Sequence, residues 1–532
     1  MTDRKRDDGF LVYWKSILAC LLVGMCQFQY GLDSTLIGGI QAMTGFLEVF
    51  GYRDPASPIG YNISTLRQQL ISSLMILGAF LSSMSAGLIA KYIGRKFTLW
   101  IACLLCLIAD IIMMTTTSIG VLYFGRLLMG LSNGLFNTFG QLYIQECAPS
   151  KYRGVMIGAA TYWIIFGALI GTIVDNFTVP FGGKKSYLVP LGIALIMPGI
   201  IAVGLLFLPE SPRWFLQTNN EEKARSALER LAPYPELVDG DLASMKLAID
   251  NEAALARSTE IVDLWRSPVD RRRALLAIGA IVLQPASGAS YIIIYSTYFF
   301  EMADIGKPFQ NSCIMSGVGA VVLILNSLII TRWGYRRIFL TWGLILCGLT
   351  QVIMAAVYTA HPGTILTGKV IVGCTILNVT FYNGMVATYA LLCGGEFPSQ
   401  RFRSYTLGIA TAMGYFFGWL VAFTAPYFIN PSSLNWGPKY GYIWAGSCLI
   451  AAIWTWIFLP EVKGRTFEEI DEMFEARLPP RKFRAYKCTG PAALGAAGDG
   501  PEIEHALRNA ESTPGDSKHG VTVFGNHVEE KI

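Results

Sequence analysis

Gly125-Arg126-Leu127-Leu128-Met129-Gly130 leads through an apolar run to Tyr143, Glu146, Pro149 and Arg153. It returns in the second half of the chain as Gly368-Lys369-Val370-Ile371-Val372-Gly373, which leads to Tyr389, Glu396, Pro398, Arg401 and Arg403. Two further motifs are doubled around it. Gly87-Leu88-Ile89-Ala90-Lys91-Tyr92-Ile93-Gly94-Arg95-Lys96 has a counterpart in Thr331-Arg332-Trp333-Gly334-Tyr335-Arg336-Arg337, and Pro209-Glu210-Ser211-Pro212-Arg213 has one in Pro460-Glu461-Val462-Lys463-Gly464-Arg465. Charged loop motifs duplicated between long apolar runs suit a membrane carrier made of two similar halves, because alternating access rocks one half against the other about a central site. The repeat therefore implies transport rather than catalysis.

Composition agrees. Of the 532 residues, 53% are hydrophobic and 15% charged, against roughly 25% charged in soluble domains. Apolar runs long enough for a bilayer core, about 20 residues each, fall near 16–37, 69–90, 97–115, 119–145, 154–174, 188–208, 273–299, 310–330, 338–359, 364–392, 404–428 and 441–459. They predict an all-α membrane protein with twelve transmembrane helices in two six-helix bundles, residues 1–208 and 273–483. The polar stretch 209–272 between them has helical spacing at Ala224, Ala227, Leu228 and Leu231 and is read as a small cytosolic helical domain. Residues 484–532, poor in large apolar groups, are read as a disordered cytosolic tail.

Positive charge sets the orientation, since cytoplasmic loops carry its excess. Arg4, Lys5, Arg6 and Lys15, then Lys91, Arg95 and Lys96, Lys151 and Arg153, Arg332, Arg336 and Arg337, and Arg401 and Arg403 all fall on one side of an alternating topology. Both termini are expected in the cytosol, most simply at the plasma membrane, with the lipid bilayer as the surrounding partner. The N-terminus lacks a cleavable signal pattern, so the first span is expected to stay in the mature chain. The net charge of +5 arises in these loops and gives no nucleic-acid face. The sequons at Asn62 and Asn176 fall in loops assigned to the outside and are candidate glycosylation sites, whereas Asn378 lies within a span. The cysteines lie mostly within spans, Cys103 and Cys106 among them, and read as apolar filler; no metal or cofactor is implied.

Charges within spans are costly unless paired or functional. Asp33 sits in the first span and Arg126 in the fourth, at matching depth, where they can form a buried pair. Burial favours the neutral acid and a guanidinium within about 4–6 Å favours the carboxylate. A helix movement that separates the two would thus couple protonation to conformation; the plainer alternative is a static salt bridge. Asp110, in the third span, has no partner evident in the sequence and reads as a polar residue facing a neighbouring helix. Lys369, at the repeat position of Arg126, reads as a snorkelling or packing residue. At the cytosolic ends, Glu146 with Arg153 and Glu396 with Arg403, joined by Arg95, Arg336, Glu210, Arg213 and Glu461, form a candidate gate of ion pairs. Pairs present in one state only bias a two-state equilibrium.

On these motifs, with Gln284, Gly288 and Tyr295 added, residues 15–480 resemble the sugar porter family of the major facilitator superfamily, and Gly395-Glu396-Phe397-Pro398-Ser399-Gln400-Arg401-Phe402-Arg403-Ser404 resembles its fungal α-glucoside-permease-like branch. The resemblance implies that Asp33 and Arg126 are a proton-sensing pair and that the protein, as a monomer, takes up a small solute with protons. It also exposes departures. Positions where hexose carriers place amides read Pro285, Ser290, Thr161, Ala168, Gly319 and, in the eleventh span, Gly418, and Tyr389 stands in the region of a tenth-span tryptophan. Candidate solute ligands are Gln27, Thr161, Tyr162, Gln284, Ser287, Ser290, Tyr291, Asn383, Tyr389 and Trp419. The expected function is proton-coupled uptake of a sugar or polyol-like solute. The alternatives are a uniporter or exporter of a non-sugar metabolite, and a transporter-like nutrient sensor.

Overall fold

The computed structural model describes residues 10–55, 57, 59–149, 152–257, 262–302 and 306–486. Among them twelve helices are long and apolar enough to cross a membrane: Trp14–Ile40, Thr65–Gly87, Arg95–Thr115, Ile119–Cys147, Arg153–Phe181, Lys185–Phe207, Pro268–Glu301, Pro308–Ile329, Arg336–Ala360, Ile365–Glu396, Tyr405–Ile429 and Gly437–Phe458. They are called spans 1 to 12 here. An even number of crossings returns the chain to its starting side, so the near end carries both ends of the bundle pair and the far end lies opposite. Large apolar side chains such as Leu104, Ile108 and Ile111 on span 3, or Leu449, Ile450 and Ile453 on span 12, remain exposed. That is the pattern of helices whose outer faces meet lipid.

Within each bundle, helices approach closely where glycine removes the side chain. A Cβ on Gly31 in span 1 would stand 1.9 Å from the carbonyl oxygen of Ile164 in span 5, and one on Gly167 would stand 2.1 Å from that of Phe28. Small residues at such crossings are how membrane helices gain van der Waals contact when no hydrophobic force drives them together. Span 7 is broken between Pro268–Ala286 and Ala289–Met302. Gly288 makes the break at φ +73° under the ring of Trp444, and Gln351 secures it by donating to the carbonyl of Ser287 at 2.8 Å. Span 10 contains a π-helical segment, Tyr382–Ala387.

Between the bundles run helices Pro212–Gln217, Glu221–Leu231, Val238–Arg257 and Asp263–Arg266. Asn220 caps the second of these, and Ala224, Leu228, Val238 and Leu242 pack with Phe215, Leu216, Ala232 and Met245. Leu231 joins the core of the first bundle, where its carbonyl accepts from Ser16 Oγ at 3.1 Å. The second bundle starts at Pro268, not 273: Ser267 Oγ accepts from the Asp270 amide and proline fills the first turn. The charges of Arg271, Arg272 and Arg273 hide that start from a count of apolar residues. After span 12, helix Phe467–Glu475 opens with a Thr466/Glu469 capping box and docks on span 7 through an Arg273–Asp471 ion pair of 2.5 Å. The expected tail disorder falls, from 487 onward, outside the described residues.

At the far end a short helix, Thr44–Phe50, and a hairpin pairing Tyr52–Arg53 with Tyr61–Asn62 cover the first bundle. The two bundles are tied together there. Asn430 Nδ2 donates to the carbonyl of Ile63 at 2.8 Å and to Gln68 Oε1 at 3.0 Å, and Tyr298 donates to Asn62 Oδ1 at 2.8 Å. The Thr65 hydroxyl lies 3.0 Å from that of Ser432.

Candidate coupling site and solute path

Spans 1, 3 and 4 bring Asp33, Asp110 and Arg126 to the wall of one small cavity, otherwise lined by apolar groups such as Leu36, Ile40, Met113 and Met129. All three are buried. The expected direct pair is not formed. Asp33 accepts from Gln29 Nε2 at 2.8 Å and Asn133 Nδ2 at 3.0 Å, while Arg126 donates from Nε to the carbonyl of Ile71 at 2.9 Å and from Nη2 to Met75 Sδ at 3.1 Å. Two amides satisfy the carboxylate, which leaves the guanidinium to the backbone of span 2. Both amides were missed in the sequence, although spacing carried the signal: Gln29 is one turn before Asp33, and Asn133 is two turns after Arg126, on the same face. Asp110 Oδ1 has no hydrogen-bond partner, and Cys106 Sγ lies 3.9 Å from Oδ2. Lys369, the repeat counterpart of Arg126, is exposed and takes no part.

The gate residues also pair differently from expectation. Glu146 receives Arg95, not Arg153, through Nε at 2.9 Å and Nη2 at 2.8 Å, and accepts from Ser211 Oγ at 2.5 Å. Glu396 receives Arg336, not Arg403, through Nε at 3.1 Å and Nη2 at 2.6 Å. Arg95 and Arg336 open spans 3 and 9 beside the glutamates, so their planar forks reach both oxygens. Arg153 begins span 5 on an exposed face, and Arg403 lies over the Phe467 ring at 4.4 Å. Glu210 and Glu461 are not ion-pair partners but helix caps. Glu210 accepts from the backbone amides of Arg95 at 3.1 Å and Lys96 at 3.0 Å, and Glu461 from those of Arg336 at 3.2 Å and Arg337 at 3.1 Å. Carboxylates at helix N-termini satisfy free amides and complement the dipole. Arg213 is half-buried on the helix that follows Ser211. The duplicated motif is therefore a clamp inside each bundle.

The solute candidates divide. Gln27 Nε2 donates to the carbonyl of Asn137 at 3.1 Å, leaving Oε1 unpartnered, and Asn137 Nδ2 donates across the bundle interface to the Tyr415 hydroxyl at 2.8 Å. Tyr30 lies near Tyr415 and Tyr382. Asn137, Tyr415, Tyr30 and Tyr382 were not singled out in the sequence, because nothing about an isolated tyrosine or asparagine marks it as facing the other bundle. Gln284 donates to the carbonyl of Ala387 at 3.1 Å, and Ser287 Oγ is engaged by the carbonyl of Gln284 at 2.6 Å. Thr161, Tyr162 and Ser290 are half-buried, and Trp419 stacks on Phe423 at 5.4 Å. Asn383 fills the space left by Gly319, its amide 2.8 Å from where a Cβ would stand. Two candidates are placed elsewhere. Tyr389 is packed in the core of the second bundle, stacked on Phe339 at 4.9 Å, and Tyr291 lines a small pocket formed wholly by second-bundle residues.

Of the sequons, Asn62 is a correction. Its side chain is fully buried, donating to Asp54 Oδ2 at 3.3 Å and accepting from Tyr298, so this packing excludes a glycan. Asn176 is half-buried near the end of span 5.

Two six-helix bundles carrying the same clamp, with a neutral polar path between them and charges buried in one, define a membrane transporter of the major facilitator class. The chain belongs to the sugar (and other) transporter family, whose model matches residues 19–474. It is 26% identical over 94% of its length to the major facilitator-type transporter ecdD of Aspergillus rugulosus, covering 94% of that protein. It is 28% identical over 91% of its length to the maltose permease MAL31 of Saccharomyces cerevisiae, covering 80% of that protein. The fold matches the inward-open xylose transporter XylE of E. coli with a TM-score of 0.70 at 18% identity, covering 86% of this chain and 99% of that one.

Proposed function

We propose that this sugar transporter works by alternating access and carries a sugar or polyol-like solute inward with a proton, at the plasma membrane, with both termini in the cytosol. The observation that carries the coupling is the placement of Asp33 and Arg126 on one buried, mainly apolar cavity of the first bundle. A carboxyl there changes its proton occupancy when its surroundings move. The neutral amides and phenols at the bundle interface suit a solute of hydroxyl groups, and the likeness to a maltose permease supports a sugar. The test is uptake by purified protein in liposomes, with and without an imposed pH gradient, over a panel of labelled sugars, polyols and aromatic acids. A sugar should accumulate above its outside concentration only with the gradient. Equal uptake in both conditions would show uniport. A second reading, a non-sugar solute, is favoured by the phenols of Tyr30, Tyr382 and Tyr415 standing together on the same path, and transport of an aromatic acid alone would establish it.

A further inference from the structure

We propose that Asp110 is a second proton-binding carboxyl of the coupling site, so that one transported proton is shared between Asp33 and Asp110 beside a single arginine. The inference rests on the coupling reading above and deepens it. Both carboxyls and Arg126 line the same cavity, and each is at most 4% exposed. The groups bearing on Asp110 are few. Span 1 presents Asp33, span 4 presents Arg126, its own span presents Cys106, and span 6 contributes only Leu191 and Ala194 to the cavity wall. Tyr295 of span 7 lies near Arg126, its hydroxyl donating to the carbonyl of Ala422 at 2.6 Å.

Charge counting sets the consequence. One guanidinium balances one carboxylate, and a second uncompensated charge in a dry site is strongly disfavoured. With both carboxyls ionised the site holds net negative charge; with one proton it is neutral; with two it is net positive. The neutral form must place its proton on one oxygen. Asp33 accepts two amide hydrogen bonds, which favour its ionised form, whereas Asp110 has one oxygen without any donor. The proton therefore rests on Asp110 in this conformation. When a movement of span 1 against span 4 withdraws Asp33 from the Asn133 amide, the O–H bond of Asp110 breaks, one forms on Asp33, and the negative charge passes to Asp110. Nothing else is consumed. The transported proton is thus the one that makes the site neutral, whereas a lone aspartate beside arginine would become positive on loading.

The experiment is proton-driven uptake in liposomes as a function of outside pH for the parent, Asp110→Asn, Asp110→Glu and Asp33→Asn, with solute exchange at equal pH as a control for folding. Asp110→Asn leaves only neutral and positive forms, so its half-maximal uptake should move toward acid by about one pH unit, tenfold in proton concentration, while exchange persists; Asp110→Glu should retain the parent profile. If the parent and Asp110→Asn share one profile while Asp33→Asn loses accumulation, Asp110 is a static polar residue and this inference falls alone. If the parent ignores the pH gradient, the coupling reading falls and takes this inference with it. Should Asp110→Asn not fold, parental coupling by Asp110→Glu supports the shared proton, and its loss without loss of exchange overturns it.

Discussion

At Asp33 the structure separates two roles that the sequence merges. The arginine at matching depth supplies field, whereas Gln29 and Asn133 supply the hydrogen bonds. Asp33→Asn keeps the shape but fixes a neutral side chain. Solute exchange down its own gradient should survive, and accumulation driven by a pH gradient should disappear. Counterflow and gradient-driven uptake measured on one preparation decide it; accumulation equal to the parent would remove Asp33 from coupling. The buried charge itself was legible, because a carboxylate in an apolar run of this length stands out. Its partners were not, since an amide is common in spans for many reasons and only the fold says which amide reaches which oxygen.

At the scale of elements, the clamp explains why the motif is duplicated. Each copy joins the ends of two spans and the loop after the bundle's last span: Arg95 and Glu146 with Glu210 and Ser211, and Arg336 and Glu396 with Glu461. Such a staple keeps a bundle rigid as it moves. Glu146→Gln would leave Arg95 buried against a neutral amide; both partners are 4% exposed, so the loss should be about 3 kcal/mol or more. Glu396→Gln should cost less, its pair being 14% and 19% exposed. Asp239→Asn, which breaks an exposed pair with Arg225, should cost under about 1 kcal/mol. Melting temperatures of the three proteins in detergent should fall in that order of loss, and a smaller loss for Glu146→Gln than for Asp239→Asn would contradict the clamp. The glycine crossings give a sharper contrast. Gly31→Ala would drive a methyl group into the backbone of span 5, whereas Gly158→Ala meets nothing within 4 Å. Folded yield should collapse for the first and stay at the parent level for the second, as judged by the monodisperse fraction after solubilisation. The spans themselves were readable from apolar length. The partners of Glu146 and Glu396 were not, because an arginine nearby in sequence, Arg153 or Arg403, competes with one from a distant span, and only the packing of the helices decides between them.

At the scale of the whole molecule, the hydrogen bonds of the far-end latch fix which face is closed. Asn430 alone spans from the second bundle to both Ile63 and Gln68 of the first, and Tyr298 reaches Asn62 beside it. The sequence offered only a sequon at Asn62; that the same side chain serves as a latch follows from the hairpin that turns it inward. The proposed alternating access would require these contacts to break when the far end opens, and in a two-state protein their energy sets how often it does. Asn430→Ala removes the two hydrogen bonds that cross between the bundles, of about 0.5–1.5 kcal/mol each, which shifts the equilibrium roughly 5- to 150-fold toward the form open at the far end. A cysteine introduced at Ser72, buried on span 2, should then react faster with a membrane-impermeant thiol reagent added from that side, while labelling of the same cysteine in the Asn430 parent stays slow. Equal rates in the two backgrounds would mean that the latch contributes nothing to closure and that packing between the bundles alone holds the far end shut.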